Sequence, residues 1–172
     1  GLVNQDITER YVRYAEGGAG LIVVEAMAVH GAKSGPLLRI SDQSYLPGLS
    51  DMVRRVHDTS DSKIVPQIIH FLKIARSGWR QTIDMLDETD IDAIVGHFGA
   101  AAARAREAGF DGAELHSAHA YTLASFISRR NTRNDDYGGS LENRLRLIGR
   151  VMHEARRQAG DDFAVGVRID AE

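Results

Sequence analysis

The chain contains no cysteine among its 172 residues, which excludes disulfides, thiolate nucleophiles and cysteine metal ligands within it. It has no apolar run long enough to span a bilayer. Its first residues, GLVNQDITER, lack the basic and then apolar character of a signal peptide, so a cytoplasmic location is expected. An excess of positive charge is also absent. The net charge of −3 gives no reason to expect nucleic acid or an anionic membrane as a partner.

The remaining composition is that of a soluble globular protein, with 43% hydrophobic and 26% charged residues. Apolar runs rich in Val and Ile predict four strands buried on both faces, at residues 20–29, 63–70, 111–117 and 163–170. Helical periodicity predicts helices at residues 6–17, 45–58, 88–108 and 140–160, with a short helical insertion at 121–128. Repeated β–α units predict a parallel sheet, either a doubly wound open sheet or a (β/α)₈ barrel.

Residues 1–172 are expected to form a single, partial domain. The chain opens on a helix with no strand before it, ends with its fourth strand, and is shorter than the roughly 250 residues of a full barrel. We therefore expect the first strand and the last strands of the fold to be missing. Exposed strand edges, together with barrel-interior side chains such as Ile22, Val24, Ile64 and Val167, lead us to expect a homo-oligomer or part of a longer chain.

Polar side chains follow each predicted strand, at the edge where parallel β–α folds place their sites. In strand order they are Glu25 and Ala26; Gln67 and His70; His116, His119 and Tyr121; and Arg168. Their coincidence at one edge of the sheet predicts a functional site there.

The two histidines three residues apart allow three interpretations. His116 and His119 could bind a metal together with Glu114 and His70. Each could instead be a structural histidine with an ordinary neighbour. In the third interpretation, the two imidazole N–H groups polarise a carbonyl oxygen, and Tyr121 supplies a proton.

Gln67 and Arg168 are the other polar residues that need an explanation. An amide in an apolar strand requires partners, which a loop network or a flat heterocycle could supply. A guanidinium flanked by apolar residues requires an anion. Asp170 could be that anion, or Arg168 could stabilise negative charge on a reduced cofactor.

The stretch "GFDGAELHSAHAYTLASFISRRNTRNDDYGGSLENRLRL" resembles the old yellow enzyme family of FMN-dependent ene-reductases. The stretches "GGAGLIVVEAMAV", "VPQIIH" and "DDFAVGVRID" resemble the family's second, third and fifth barrel strands. The resemblance covers nearly the whole chain and implies an α/β fold of the TIM (β/α)₈ type, of which about half is present. It also implies FMN at the carboxyl face of the barrel.

The resemblance assigns roles to six residues. Ala26 matches the residue whose backbone approaches the flavin, Gln67 the glutamine at the pyrimidine edge, and Arg168 the arginine near flavin N1. The catalytic matches are His116 and His119, which hold an electron-withdrawing group of the substrate, and Tyr121, which donates a proton. The implied reaction uses NADH or NADPH as hydride donor and reduces a small molecule with a conjugated carbonyl or similar group.

The chain departs from the family pattern in several places. Phe71, Leu72 and Lys73 stand where a Gly-Arg pair is frequent, and Ala120 replaces a glycine, which we expect to be a small change. The first strand and the phosphate-binding strands have no counterpart here.

Two other functions stay open at this point. A metal-dependent hydrolase would use His70, His116 and His119, and a non-catalytic half-barrel would act as an interaction module. Within the family itself, some relatives oxidise amines or carry iron–sulfur and dinucleotide domains.

The polar loop at 128–139 is expected to be scaffold for the histidine-rich strand exit. Asp135, Asp136 and Tyr137 are expected to hold it down, and Arg129, Arg130 and Arg133 to be solvated.

Overall fold

The computed structural model describes residues 1–32 and 35–170. The five strands are Leu21–Ala28 (β1), Leu38–Arg39 (β2), Lys63–Ile69 (β3), Gly112–Ser117 (β4) and Ala164–Ile169 (β5). The helices are Gln5–Glu16 (α1), Leu46–Thr59 (α2), Glu88–Glu107 (α3), Thr122–Ile127 (α4) and Leu141–Ala159 (α5). Short 3-10 turns lie at Gln43–Tyr45 and Ile83–Met85. These elements include all four strands and all five helices predicted from the sequence.

The sheet is parallel throughout and has the strand order β2-β1-β3-β4-β5. The prediction missed β2, which lies in the expected loop after β1 and pairs with Met27 and Ala28. Two residues are too few to show a periodic pattern. Apart from β2, neighbouring strands follow chain order without the reversal that marks a doubly wound sheet. The order therefore favours the barrel.

Side-chain caps fix where the helices begin. Asp87 and Asp90 form a reciprocal capping box at the start of α3, and the Ser140 hydroxyl accepts the Asn143 N–H at 3.2 Å at the start of α5. Asn4 caps α1 by accepting the Ile7 N–H at 2.9 Å. Gly109 follows α3 with a φ of 93°, as expected of a glycine that ends a helix.

The side chains expected to fill the barrel interior face the helices instead. Ile22, Val24 and Ile64 are buried in the hydrophobic core between the sheet and its helices, and Val167 packs against that core. The alternate residues of β1 face the other way, and Leu21 there is 61% exposed. Both sets are apolar, so the sequence pattern could not show which set packs under the helices. The expectation about the interior was wrong in this respect.

Asp111 fixes the alignment of β3 and β4 at their amino ends. Its carboxylate accepts the Ile64 N–H at 2.8 Å, and its own N–H donates to the Ile64 carbonyl at 3.0 Å. The same carboxylate contacts His57 at 2.8 Å and Lys63 at 3.2 Å. These contacts lower the pKa of Asp111 against the opposing effect of its partial burial. The aspartate therefore sets the register that places the residues at the other end of the strands.

None of the helices in the two described ranges combines the length and apolar content that crossing a membrane requires. Within those ranges no strand lies on the outer side of β5, where Ile169 is 65% exposed. An unpaired strand edge of this kind favours association. Self-association of the chain stays a prediction.

Candidate functional site

One face of the sheet carries most of the polar residues that the sequence singles out. Gln67 on β3 pairs with Glu114 on β4, and Glu114 pairs with Gly166 on β5. Two residues further along, His116 pairs with Arg168. Paired residues of a parallel sheet point to the same side. These five residues therefore share the side away from the core helices, which we call the open face.

The side chain of Gln67 has a hydrogen-bond partner that the sequence did not indicate. Its side chain is 7% exposed, and its Nε2 group donates to Glu114 Oε1 at 2.7 Å. The sequence suggested Glu114 only as a possible metal ligand. In the structure it satisfies one amide hydrogen of a nearly buried glutamine and holds that amide on the open face.

The two histidines and the tyrosine form one cluster at the exit of β4. The ring centroids of His116 and His119 are 5.1 Å apart with the planes at 86°, and the ring of Tyr121 lies 5.1 Å from that of His116. His116 is buried, and its Nδ1 atom has no hydrogen-bond partner. Burial lowers the pKa of His116, and the neighbouring His119 lowers it further. His116 is thus a neutral imidazole with an unused polar atom.

The turn that carries this cluster is conformationally strained. His119 and Ala120 both have a φ of 56°, in the left-handed region that side chains with a Cβ rarely adopt. Two hydrogen bonds hold the turn: the Tyr121 N–H donates to the Ala118 carbonyl at 3.2 Å, and the Ser125 hydroxyl donates to the Ala120 carbonyl at 3.0 Å. Replacement of a glycine by Ala120 is therefore not the small change expected from the sequence.

Arg168 and Asp170 both contact His119. Arg168 Nη2 lies 3.4 Å from His119 Nε2, and the His119 N–H donates to Asp170 Oδ2 at 2.9 Å. Asp170 had been considered as the counter-ion of Arg168. Its hydrogen bond with the His119 backbone instead fixes the start of the strained turn.

Ala26 and Glu25 lie where the pairing of β1 with β3 becomes irregular. The register shifts between Val24 and Met27, and Ala26 is half-buried within this irregularity. Glu25 forms an ion pair with Arg10 of α1 at 2.9 Å. Its carboxylate is therefore directed to α1 in this structure, while its place at the end of β1 agrees with the sequence.

His70 belongs to a different cluster from His116 and His119. Its ring centroid is 4.4 Å from that of His30, and it stacks with His97 at 6.4 Å. Its Nδ1 atom hydrogen-bonds with Thr122 Oγ1 at 2.9 Å. Within the part of the chain that the structure describes, no three His, Asp or Glu side chains are arranged to hold a metal ion. The ligand set of the hydrolase hypothesis is therefore not brought together.

Burial keeps the three-histidine cluster uncharged. Burial lowers the pKa of His70 to about 3, and His30 and His97 lower it in the same direction. Burial, with repulsion from His97 and Arg39, lowers the pKa of His30 to about 4. A cavity of about 280 Å³ adjoins the cluster and is also lined by Phe71, Leu86 and Ile94.

Arg133 is a structural residue and not a solvated one. Its side chain is 7% exposed, and it donates to the carbonyls of Ile83 and Leu86, the latter at 2.8 Å. It also pairs with Asp135. The expected scaffold role of the loop is supported by Asn131, whose side chain donates to the carbonyls of Phe126 and Tyr137 at 2.8 and 2.7 Å.

Sequence reasoning missed several residues that shape the site. Contacts made by Thr122, His30 and His97 join segments far apart in the chain, so no local pattern indicated them. The sequence did indicate Gln67, because an amide in an apolar strand demands a partner.

The comparisons with known proteins agree on the family. The family described as NADH:flavin oxidoreductase / NADH oxidase matches residues 1–172. The chain is 32% identical over 193 residues to an NADH oxidase from Thermoanaerobacter brockii, with 100% of this chain and 30% of that protein covered. It is 34% identical over 194 residues to a cinnamate reductase from Clostridium sporogenes, with 98% of this chain and 29% of that protein covered.

A solved structure shows the same fold. The old yellow enzyme homologue from Zymomonas mobilis superposes with a TM-score of 0.82 at 24% identity, covering 98% of this chain and 54% of that one. This likeness confirms the expected partial TIM barrel. The chain spans between 29% and 54% of the length of these proteins.

The strained turn predicts an unusual order of stability at position 120. Ala120→Gly removes the left-handed penalty, which stabilises the folded chain by about 1–2 kcal/mol. It also makes the unfolded chain more flexible, which destabilises the folded chain by about 0.4–1 kcal/mol. The stability of the glycine variant should therefore equal or exceed that of the native chain. Ala120→Val should be clearly destabilised, because a β-branched residue tolerates this conformation least. Chemical denaturation of the three proteins measures the order, and a glycine variant less stable than the native chain contradicts it.

The three-histidine cluster predicts a loss of stability in mild acid. Between pH 6.5 and 5 the unfolded chain binds protons that folded His30 and His70 do not, so stability present above pH 6.5 falls as the pH falls. Each histidine lowers the free energy of unfolding by up to about 1.4 kcal/mol for each pH unit of acidification. Between pH 6.5 and 5, the denaturation midpoint of His30→Asn should change less than that of the native chain. Asparagine is chosen because its amide oxygen can still accept the Ala32 N–H that His30 accepts.

The matched control is His153→Asn, since His153 is exposed on α5. It should keep the native pH dependence. An unchanged slope in His30→Asn would remove His30 from this explanation.

Proposed function

The chain belongs to the NADH:flavin oxidoreductase / NADH oxidase family, and on that premise we propose that the whole protein is an FMN-dependent oxidoreductase acting on a small conjugated molecule. The family implies FMN as the cofactor and NADH or NADPH as the hydride donor. The finer proposal is that the substrate is an electron-poor alkene. It rests on the His116, His119 and Tyr121 cluster described above.

The open face has features that fit a flavin ring. A Cβ placed on Gly166, two residues before Arg168 on β5, would meet no atom within 4 Å, so the sheet leaves free space beside Glu114. In this proposal the Gln67 amide holds the pyrimidine edge, Arg168 places positive charge near N1, and the irregular backbone at Ala26 approaches the ring. When bound, FMN supplies the redox chemistry, and the protein supplies binding and orientation.

The observation that carries the proposal is the unused Nδ1 atom of buried His116. A buried polar atom without a partner is costly, and a catalytic or binding role is one recognised reason for keeping such an atom. His116 with His119 provides two ring nitrogens for a substrate carbonyl. Polarising that carbonyl makes the β-carbon of a conjugated alkene electrophilic. Once the β-carbon has received a hydride, the α-carbon must gain a proton to complete the reduction.

Tyr121 is the proposed source of that proton. Its ring adjoins His116 and is 39% exposed, so a substrate held by the histidines can reach its hydroxyl. A phenol is a competent general acid when it is positioned near the reacting carbon. The similarity to a cinnamate reductase supports an alkene as the substrate, because cinnamate is a conjugated acid.

The other candidate functions have less support. A metal-dependent hydrolase would need His70 beside His116, and His70 instead contacts His30 and Thr122. A non-catalytic interaction module would not require a buried, unpaired imidazole nitrogen. Flavin absorbance of the purified whole protein separates the proposed function from both alternatives.

The proposed role of Tyr121 predicts a split effect of Tyr121→Phe in the whole protein. Alkene reduction should slow by about 10² to 10⁴, since this is the usual contribution of general acid catalysis. Flavin reduction by the nicotinamide should stay nearly unchanged, because no proton from Tyr121 enters that half-reaction. Stopped-flow absorbance measures the two half-reactions separately.

Tyr14→Phe is the matched control, because Tyr14 is an exposed residue of α1. It should leave both half-reactions unchanged. An oxidative half-reaction that proceeds at the native rate in Tyr121→Phe would remove Tyr121 from the mechanism.

A further inference from the structure

We propose that His70 and Thr122 act together as positioning residues that fix the direction of Tyr121. The inference rests on the proposed function of Tyr121 as proton donor and adds to it two residues that need not touch the substrate. It starts from contacts between the end of β3 and the start of α4.

His70 holds Thr122 through two contacts. The ring Nδ1 atom lies 2.9 Å from Thr122 Oγ1, and the Thr122 N–H points to the His70 carbonyl at 3.4 Å. Thr122 is fully buried at 0% exposure. Both the side chain and the backbone of Thr122 are therefore fixed relative to β3.

The other hydrogen bonds of Tyr121 hold its backbone and not its ring: its N–H donates to the Ala118 carbonyl at 3.2 Å, and its carbonyl accepts the Ser125 N–H at 2.8 Å. Tyr121 is the N-cap residue of α4, a helix of six residues, and its side chain makes no capping hydrogen bond. The two residues before it are in the left-handed region. Its ring contacts His116 but remains 39% exposed. The orientation of the phenol therefore depends on the backbone at 121–122.

His70 has two further ring neighbours. The ring of His30 lies with its centroid 4.4 Å away, and the ring of His97 lies nearly parallel, at 15°, with its centroid 6.4 Å away. Because burial keeps His70 neutral, the hydrogen bond to Thr122 should not change across the pH range in which such enzymes work. The pair thus forms a constant support between β3 and the proton donor.

The test compares Thr122→Val with Thr122→Ser in the flavin-loaded whole protein. Valine keeps the shape of threonine and removes the hydroxyl, whereas serine keeps the hydroxyl. Thr122→Val should slow the alkene half-reaction about tenfold, since small misplacements of a catalytic group have effects of this size or larger. Thr122→Ser should stay within about threefold of the native rate, and flavin reduction should change in neither.

A double-mutant cycle separates positioning from general damage. In the Tyr121→Phe background, Thr122→Val should have almost no further effect, because there is no proton donor left to misplace. A native rate in Thr122→Val alone overturns the inference. So does an equal slowing of the alkene half-reaction by Thr122→Val with and without the Tyr121 hydroxyl.

Hydrogen exchange gives a second readout that does not depend on activity. Amides at 118–128 should exchange faster in Thr122→Val than in the native protein and in Thr122→Ser, and equal exchange in all three overturns the inference. If Tyr121→Phe leaves the alkene half-reaction unchanged, the proposed function fails and the exchange result alone decides whether His70 holds this segment. Should Thr122→Val fail to fold, His70→Leu against His70→Asn provides the same comparison from the other partner.

Discussion

The alignment of β4 between β3 and β5 is the constraint on which the rest of the site depends. The contacts of Asp111 with Ile64 set it at the amino ends of the strands. At the carboxyl ends, this β3–β4 register places Gln67 beside Glu114, and the separate β4–β5 register places His116 beside Arg168. A shift by one residue would turn His116 into the helix-packed core, because successive strand residues face opposite sides.

The strand exit after β4 brings the aromatic and imidazole rings of the candidate site together. The two left-handed residues His119 and Ala120 bend the chain so that both histidine rings and the Tyr121 ring meet. Such strain persists only where the surroundings enforce it. Here Asp170 accepts the His119 N–H at the start of the turn, and Thr122, after the turn, hydrogen-bonds with His70.

Much of the fold followed from local sequence signals, and the failures have physical reasons. Apolar runs located the four longer strands, and helical periodicity located α3 and α5. The direction of Ile22 could not be predicted, because both faces of β1 are apolar. Arg133 looked solvated, since its carbonyl partners Ile83 and Leu86 lie about fifty residues earlier in the chain. The Thr122–His70 contact joins residues 52 positions apart and was equally invisible.

The central proposal is that His116 and His119 hold the electron-withdrawing oxygen of a substrate at the open face, where FMN would bind. Binding of a phenol that mimics an enolate to the oxidised, flavin-loaded protein tests it most directly. Titration followed by flavin absorbance should show binding to the native protein, and the double variant His116→Ala, His119→Ala should lose that binding while it retains its FMN. A double variant that binds the phenol with native affinity would contradict the claim.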